Sequence, residues 1–168
     1  MINLQYMNEN LNGAIFSRCN NYRYVLWRKW DDSKPKAMFI GLNPSTADQT
    51  HNDPTISRCI KYANSWGFGS IYMVNIFSYK TTYPRELKSS INPIGKETDR
   101  WIKKIYDMSD ICIAAWGNNG QFLNRSYFIK KMLPKIHCLK ITKSGEPSHP
   151  LYLKSSLTPM VYSYRSKA

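Results

Sequence analysis

The spacing of apolar positions changes period several times along the chain, and each change predicts an element boundary. Continuous apolar runs at residues 37–41, 71–77, 111–116 and about 136–141 read as buried strands. Between them, apolar residues recur at helical spacing. Ile56, Cys59, Ile60 and Ala63 mark one such face. Asp53 is placed to cap that helix, Pro54 suits its first turn, and Gly67 after Trp66 reads as its stop. A second helix is predicted over 97–108, with Trp101, Ile102 and Ile105 inward, and a third over 123–133. Ahead of these, residues 14–30 predict a β-hairpin turning around Arg18-Cys19-Asn20-Asn21. Its second arm alternates aromatic and basic residues, as a half-exposed strand would. Residues 31–35 form a connector, and 150–168 read as a loosely packed tail with an apolar stretch from Leu151 to Leu153.

The order strand, helix, strand, helix, strand, helix, strand argues for a parallel sheet in a three-layer arrangement. One domain over 1–168 is expected, with the hairpin at about 14–30 and the core at about 37–155. In such a sheet the strand C-termini open on one side, and ligands bind in the crevice there. Each predicted strand ends abruptly in small or polar residues. The endings are Gly41-Leu42-Asn43-Pro44-Ser45, Asn75-Ile76-Phe77-Ser78, Trp116-Gly117-Asn118-Asn119-Gly120, and the stretch from Thr142 to Pro150. Loops far apart in sequence should therefore converge on one site.

Three side chains in these loops carry candidate chemistry. Asn43 stands between a residue free to take positive φ and a proline, and its amide can orient water or hold a ligand carbonyl. Asn75 interrupts an otherwise apolar strand. A buried amide needs partners, and it can pair with adjacent donor and acceptor atoms on a base edge or tie down a neighbouring loop. His149, fixed between prolines in Gly-Glu-Pro-Ser-His-Pro, can polarise a leaving group. His51 and His137 are less well placed. Asp53, an acid close after the first loop, reads either as a helix cap or as a catalytic carboxylate. No Ser-His-Asp elbow, P-loop or dinucleotide fingerprint is present.

Charge adds a partner class. The chain carries a formal net charge of +13, and residues 101–168 alone hold eleven basic and three acidic groups. That skew favours a polyanion, nucleic acid first. Arg58, Lys61, Lys80, Lys143 and Lys154 lie in or after the site-facing loops and are the expected DNA contacts. Cys19, Cys59, Cys112 and Cys138 are scattered without metal-ligand spacing, so free thiols in a reducing cytoplasm are expected, with no metal and no cofactor. No run of about 18 apolar residues occurs, and the N-terminus has no basic-then-apolar pattern. Neither a membrane association nor a signal peptide is expected, and a monomer is.

Several of these segments together resemble a bacterial and phage family, domain of unknown function 1643. They are Tyr22 to Arg28, Gly41 to Ala47, Asp53 to Ile56, Val74 to Phe77, Ala115-Trp116-Gly117, and Ser148 to Leu153. A looser resemblance carries functional content. Gly-Leu-Asn-Pro-Ser, strand-borne Asn75 and late His149 are similar in order to the motifs of the uracil-DNA glycosylase superfamily. That resemblance implies an α/β/α sandwich with a four-stranded parallel sheet, here preceded by the hairpin, and chemistry on a base extruded from DNA. It gives Asn43 the water-positioning role, Asn75 base reading and His149 the electrophile. Gly41, Leu42, Pro44, Ser45 and Ser148 join them as substrate-binding residues, with Phe77 or Trp116 stacking on the base. Asn43 stands where the most active glycosylases carry Asp, the late loop reads Pro-Ser-His-Pro, and the cysteine ligands of the iron–sulfur branches are not matched.

The expected function is hydrolysis of an N-glycosidic bond to a uracil-like or modified base in DNA, as in repair or modified-base processing. The alternatives are a non-catalytic binder of a base, nucleotide or modified nucleic acid, and a hydrolase of free nucleosides or nucleotides.

Overall fold

The computed structural model describes residues 4–163. Its strands are β1 (Asn12–Phe16), β2 (Arg23–Lys29), β3 (Lys36–Gly41), β4 (Ser70–Asn75), β5 (Ile111–Ala114), β6 (His137–Cys138) and β7 (Met160–Val161). Its α-helices are α1 (Leu4–Glu9), α2 (Pro54–Ser65), α3 (Pro84–Ser89), α4 (Thr98–Met108) and α5 (Arg125–Met132). All seven strands join one sheet in the order β1-β2-β4-β3-β5-β6-β7. The fold is mixed α/β.

Strands β2 to β5 are buried on both sides, so alternate residues feed two separate cores. On one face Met38 and Ile40 of β3, Tyr72 and Val74 of β4, and Cys112 and Ala114 of β5 pack with Ile102 and Ile105 of α4 and Ile129 of α5. On the other, Ala37, Phe39, Ile71, Met73 and Ile113 pack with Ile56, Cys59, Tyr62 and Ala63 of α2. The signals read for α2 act as expected. Asp53 Oδ1 accepts from the Ile56 amide at 2.9 Å, and the chain leaves the helix through Gly67 at φ +85°. The helix predicted over 97–108 is α4, and that over 123–133 shortens to α5, because Leu123 and Asn124 take positive φ just before it.

The sheet departs from the expected one. Instead of a four-stranded parallel sheet with a separate hairpin ahead of it, seven strands form a mixed sheet. The β3–β4, β3–β5 and β5–β6 pairs are parallel, and β1–β2, β2–β4 and β6–β7 are antiparallel. The hairpin merges with the core because β2 is not half-exposed. Arg23 to Arg28 are all buried, with Leu26 paired to Met73 of β4. The fourth strand is cut to two residues, after which the chain folds on itself through an Ile141–Pro147 bridge.

The tail is likewise held, through residue 163. Tyr62 Oη donates to the Lys154 carbonyl at 2.7 Å, Trp66 Nε1 donates to that of Leu157 at 3.0 Å, and β7 pairs with β6. Residues 164–168 of the predicted tail lie outside the described residues. The short helices α1 and α3, six residues each, carry too few apolar positions to register as periodic. Among the described residues no helix is long and apolar enough to cross a membrane.

Trp27 is the largest fully buried side chain of β2, and its indole donates to the Asn10 carbonyl at 3.0 Å. Its ring fills the space over Gly13, where a Cβ would sit 2.1 Å from it. Trp27→Ala should lower unfolding free energy by about 3–5 kcal/mol with an unchanged denaturant slope. Urea titration checks this, and a loss under about 1 kcal/mol would contradict the packing.

Candidate functional site

β3, β4 and β5 run parallel, so their C-terminal ends lie side by side. The loops leaving them enclose a cleft of about 410 Å3. Gly41 to Ser45 form one wall, Trp116 to Asn119 another, Asn75 and Arg23 line it between them, and Asp53, Thr81, Thr82 and His149 also line it. The predicted convergence therefore holds for Asn43, Asn75 and His149, together with Gly41, Leu42, Pro44, Ser45, Asp53 and Trp116.

The two amides are each held at one end. Asn43 Nδ2 donates to the Thr81 carbonyl at 2.8 Å and to that of Pro44 at 3.1 Å. Its Oδ1 has no partner among the described residues, so it presents an acceptor. Asn75 is anchored the opposite way. Its Oδ1 accepts from Arg23 at 3.4 Å, which turns Nδ2 toward the Cα of Gly41. A Cβ at position 41 would meet Nδ2 at 2.8 Å, so the close approach requires glycine there. One amide thus offers an acceptor and the other a donor.

His149 completes the set from the late loop. The Leu151 amide donates to its Nδ1 at 3.2 Å, so the neutral ring carries its proton on Nε2. The ring is exposed at the cleft mouth, yet the walls desolvate its inner side and hold its pKa below the usual 6.5, with the nearby Asp53 carboxylate opposing that shift. Of the two readings of Asp53, the structure shows the helix cap. Oδ1 caps α2, and the residue lines the cleft.

The wall carrying Trp116 is fixed by a residue that sequence reasoning did not single out. Glu146 is buried, and its carboxylate accepts from Trp116 Nε1 at 2.7 Å and from Ser126 Oγ at 3.0 Å. Gly117, at φ +72°, donates to the Pro147 carbonyl at 2.7 Å and locks the third loop to the loop of His149. Arg23 and Arg28 were also missed. Both are buried, and both hold the segment ahead of Asp53: Arg23 donates to the Ala47 carbonyl at 3.0 Å, and Arg28 to that of Asp48 at 2.6 Å and to Asn52 Oδ1 at 2.8 Å. The available signal was a pair of arginines inside a run of Tyr, Val, Leu and Trp, which reads equally as the polar side of an exposed strand.

Other expected contacts fall elsewhere. Phe77 is fully buried against Phe122, ring centroids 5.5 Å apart, and does not line the cleft. Ser148 does not line it either; its amide donates to the Lys140 carbonyl at 2.8 Å. Arg58 lies over the Tyr62 ring and donates to the Leu153 carbonyl, so its guanidinium clamps the tail. Lys80 lies over Phe16, 4.8 Å from the ring centroid. Lys61, Lys143 and Lys154 are exposed, and none of the five basic residues lines the cleft.

Fold and site together define a mixed α/β protein with a polar cleft at the ends of parallel strands. The chain belongs to the family described as protein of unknown function (DUF1643), whose profile matches residues 23–151. That stretch opens at Arg23 and closes just beyond His149, so it spans every cleft residue named above. No curated protein and no solved structure matches the chain.

Folding lowers the His149 pKa, so its effect on stability is constant well above pH 6.5 and becomes unfavourable as pH falls from 6.5 through the native value. An NMR titration should place its midpoint below 6.5, and Asp53→Asn should lower it further by removing the opposing charge. A midpoint at or above 6.5 would contradict the described environment. Gly41→Ala should displace the Asn75 amide and shift its side-chain resonances while the β3–β4 amides keep theirs.

Proposed function

We propose that the cleft receives a nucleobase turned out of DNA and hydrolyses its N-glycosidic bond. The observation that carries this reading is the complementary set in one cleft: the Asn43 acceptor, the Asn75 donor, the His149 Nε2–H donor and the Asp53 carboxylate. Its volume, about 410 Å3, falls within the range usual for small-ligand sites. The resemblance in motif order to the uracil-DNA glycosylase superfamily and the net charge of +13 support DNA as the substrate.

In this reading Asn43 Oδ1 accepts from a water and aims it at the anomeric carbon. The bond to the base breaks, and its electrons leave with the base. Asn75 Nδ2 and His149 Nε2 donate to base oxygens that gain negative charge as the base departs. Asp53 supplies the carboxylate that Asn43 lacks, opposite the positive charge developing on the sugar. Water adds to the anomeric carbon and its proton passes to solvent or to the departed base.

A second reading rests on the neutral side chain at position 43: a module that binds the base without cleaving. The deciding experiment incubates the protein with single- and double-stranded DNA carrying a panel of modified bases and measures free base and abasic sites. Release is expected, reduced about 100-fold or more by Asn75→Ala and by His149→Ala. Saturable binding of the same DNA with no released base would overturn the hydrolase and leave the binding module.

A further inference from the structure

Arg23 is an unusual residue to find where it is. Its side chain is 2% exposed, yet no carboxylate lies within ion-pair distance of it among the described residues. Nη1 donates to the Ala47 carbonyl at 3.0 Å, Nη2 donates to Asn75 Oδ1 at 3.4 Å, and Nε is buried without a partner among the described residues. Burial pulls its pKa down to about 10, with Asp53 opposing and Arg28 reinforcing the shift. It therefore stays a cation at neutral pH. A buried charge whose hydrogen bonds go only to neutral oxygens, with Asp53 acting on it from beyond ion-pair distance, is costly unless something brings opposite charge closer. Arg23 lines the cleft and is coupled to it through Asn75, whose donor end it polarises.

The geometry points to Arg23 as the residue that makes the cleft select an oxyanion: a ligand whose oxygen, reaching Asn75, carries negative charge. This rests on the nucleobase reading and names the substrate class within it. Two sources share that chemistry, a base ionised at its own ring N–H and a base bearing an acidic substituent. Arg23 acts on either through Asn75, as a positioning residue.

Calorimetric binding of free bases to the full chain separates the sources. Uracil, 5-fluorouracil and 5-nitrouracil form a series of rising N–H acidity, and 5-carboxyuracil carries a separate carboxylate. Affinity should rise about tenfold or more across the acidity series, or for the carboxylated base, because charged hydrogen bonds exceed neutral ones. R23K should keep that preference and R23Q should lose it. A flat series with no gain for 5-carboxyuracil overturns the proposal, as does a preference that survives in R23Q. Anion preference without base release from DNA would leave this proposal standing and end the hydrolase; release without anion preference would do the reverse. Should R23Q not fold, N75D serves in its place. A carboxylate there would pair with Arg23, raise Tm and abolish the preference, and a lower Tm would contradict an uncompensated cation.

Discussion

The parallel register that sets Gly41 beside Asn75 governs the site. These residues end β3 and β4, and their pairing brings an amide-bearing position next to one without a side chain. The Asn75 amide lies this close to the end of β3 because position 41 has no Cβ, and it faces one way because Arg23 holds its oxygen. The segments that follow both strands then stay in contact: the Ile76 amide donates to the Gly41 carbonyl and the Phe77 amide to that of Leu42, each at 3.0 Å. Loop one is thereby attached to loop two before either meets a ligand.

The same device recurs around the cleft. Asn43 is pinned by a carbonyl of the loop after β4, His149 by an amide two residues on, and Trp116 by Glu146. For Asn43, Asn75 and His149 one end of a two-ended polar group is consumed by the fold and the other is left for the cleft, whereas Trp116 spends its single donor on Glu146 and offers only its ring. Such one-sided anchoring sets donor and acceptor polarity in advance, so that binding does not have to select it. Most of these tethers join different loops, which explains why residues so far apart in sequence act as one surface.

The legible part of this structure is the part encoded locally. α2 and α4 were readable because capping residues and helical periodicity agree, and β3, β4 and β5 because buried parallel strands leave unbroken apolar runs. Asn43 and Asn75 were legible because polar residues at strand ends stand out against those runs, and His149 because prolines restrict the backbone around it. What escaped depends on pairing between distant segments. β2 is central, so Arg23 and Arg28 are buried where a free hairpin would expose them. Glu146 looked like an ordinary loop acid, because its partners, Trp116 and Ser126, are 30 and 20 residues away. Position in or after a loop carries no information on whether a guanidinium is spent on a backbone carbonyl, as that of Arg58 is.

The central claim is that two amides and one imidazole serve a single guest. The most direct measurement follows the side-chain amide signals of Asn43 and Asn75 and the ring signals of His149 by NMR, while single-stranded DNA containing one deoxyuridine is added. The three sets should move with one common saturation midpoint, with His137 at the far end of the sheet unmoved. Three silent side chains under saturating DNA, or three different midpoints, would contradict it.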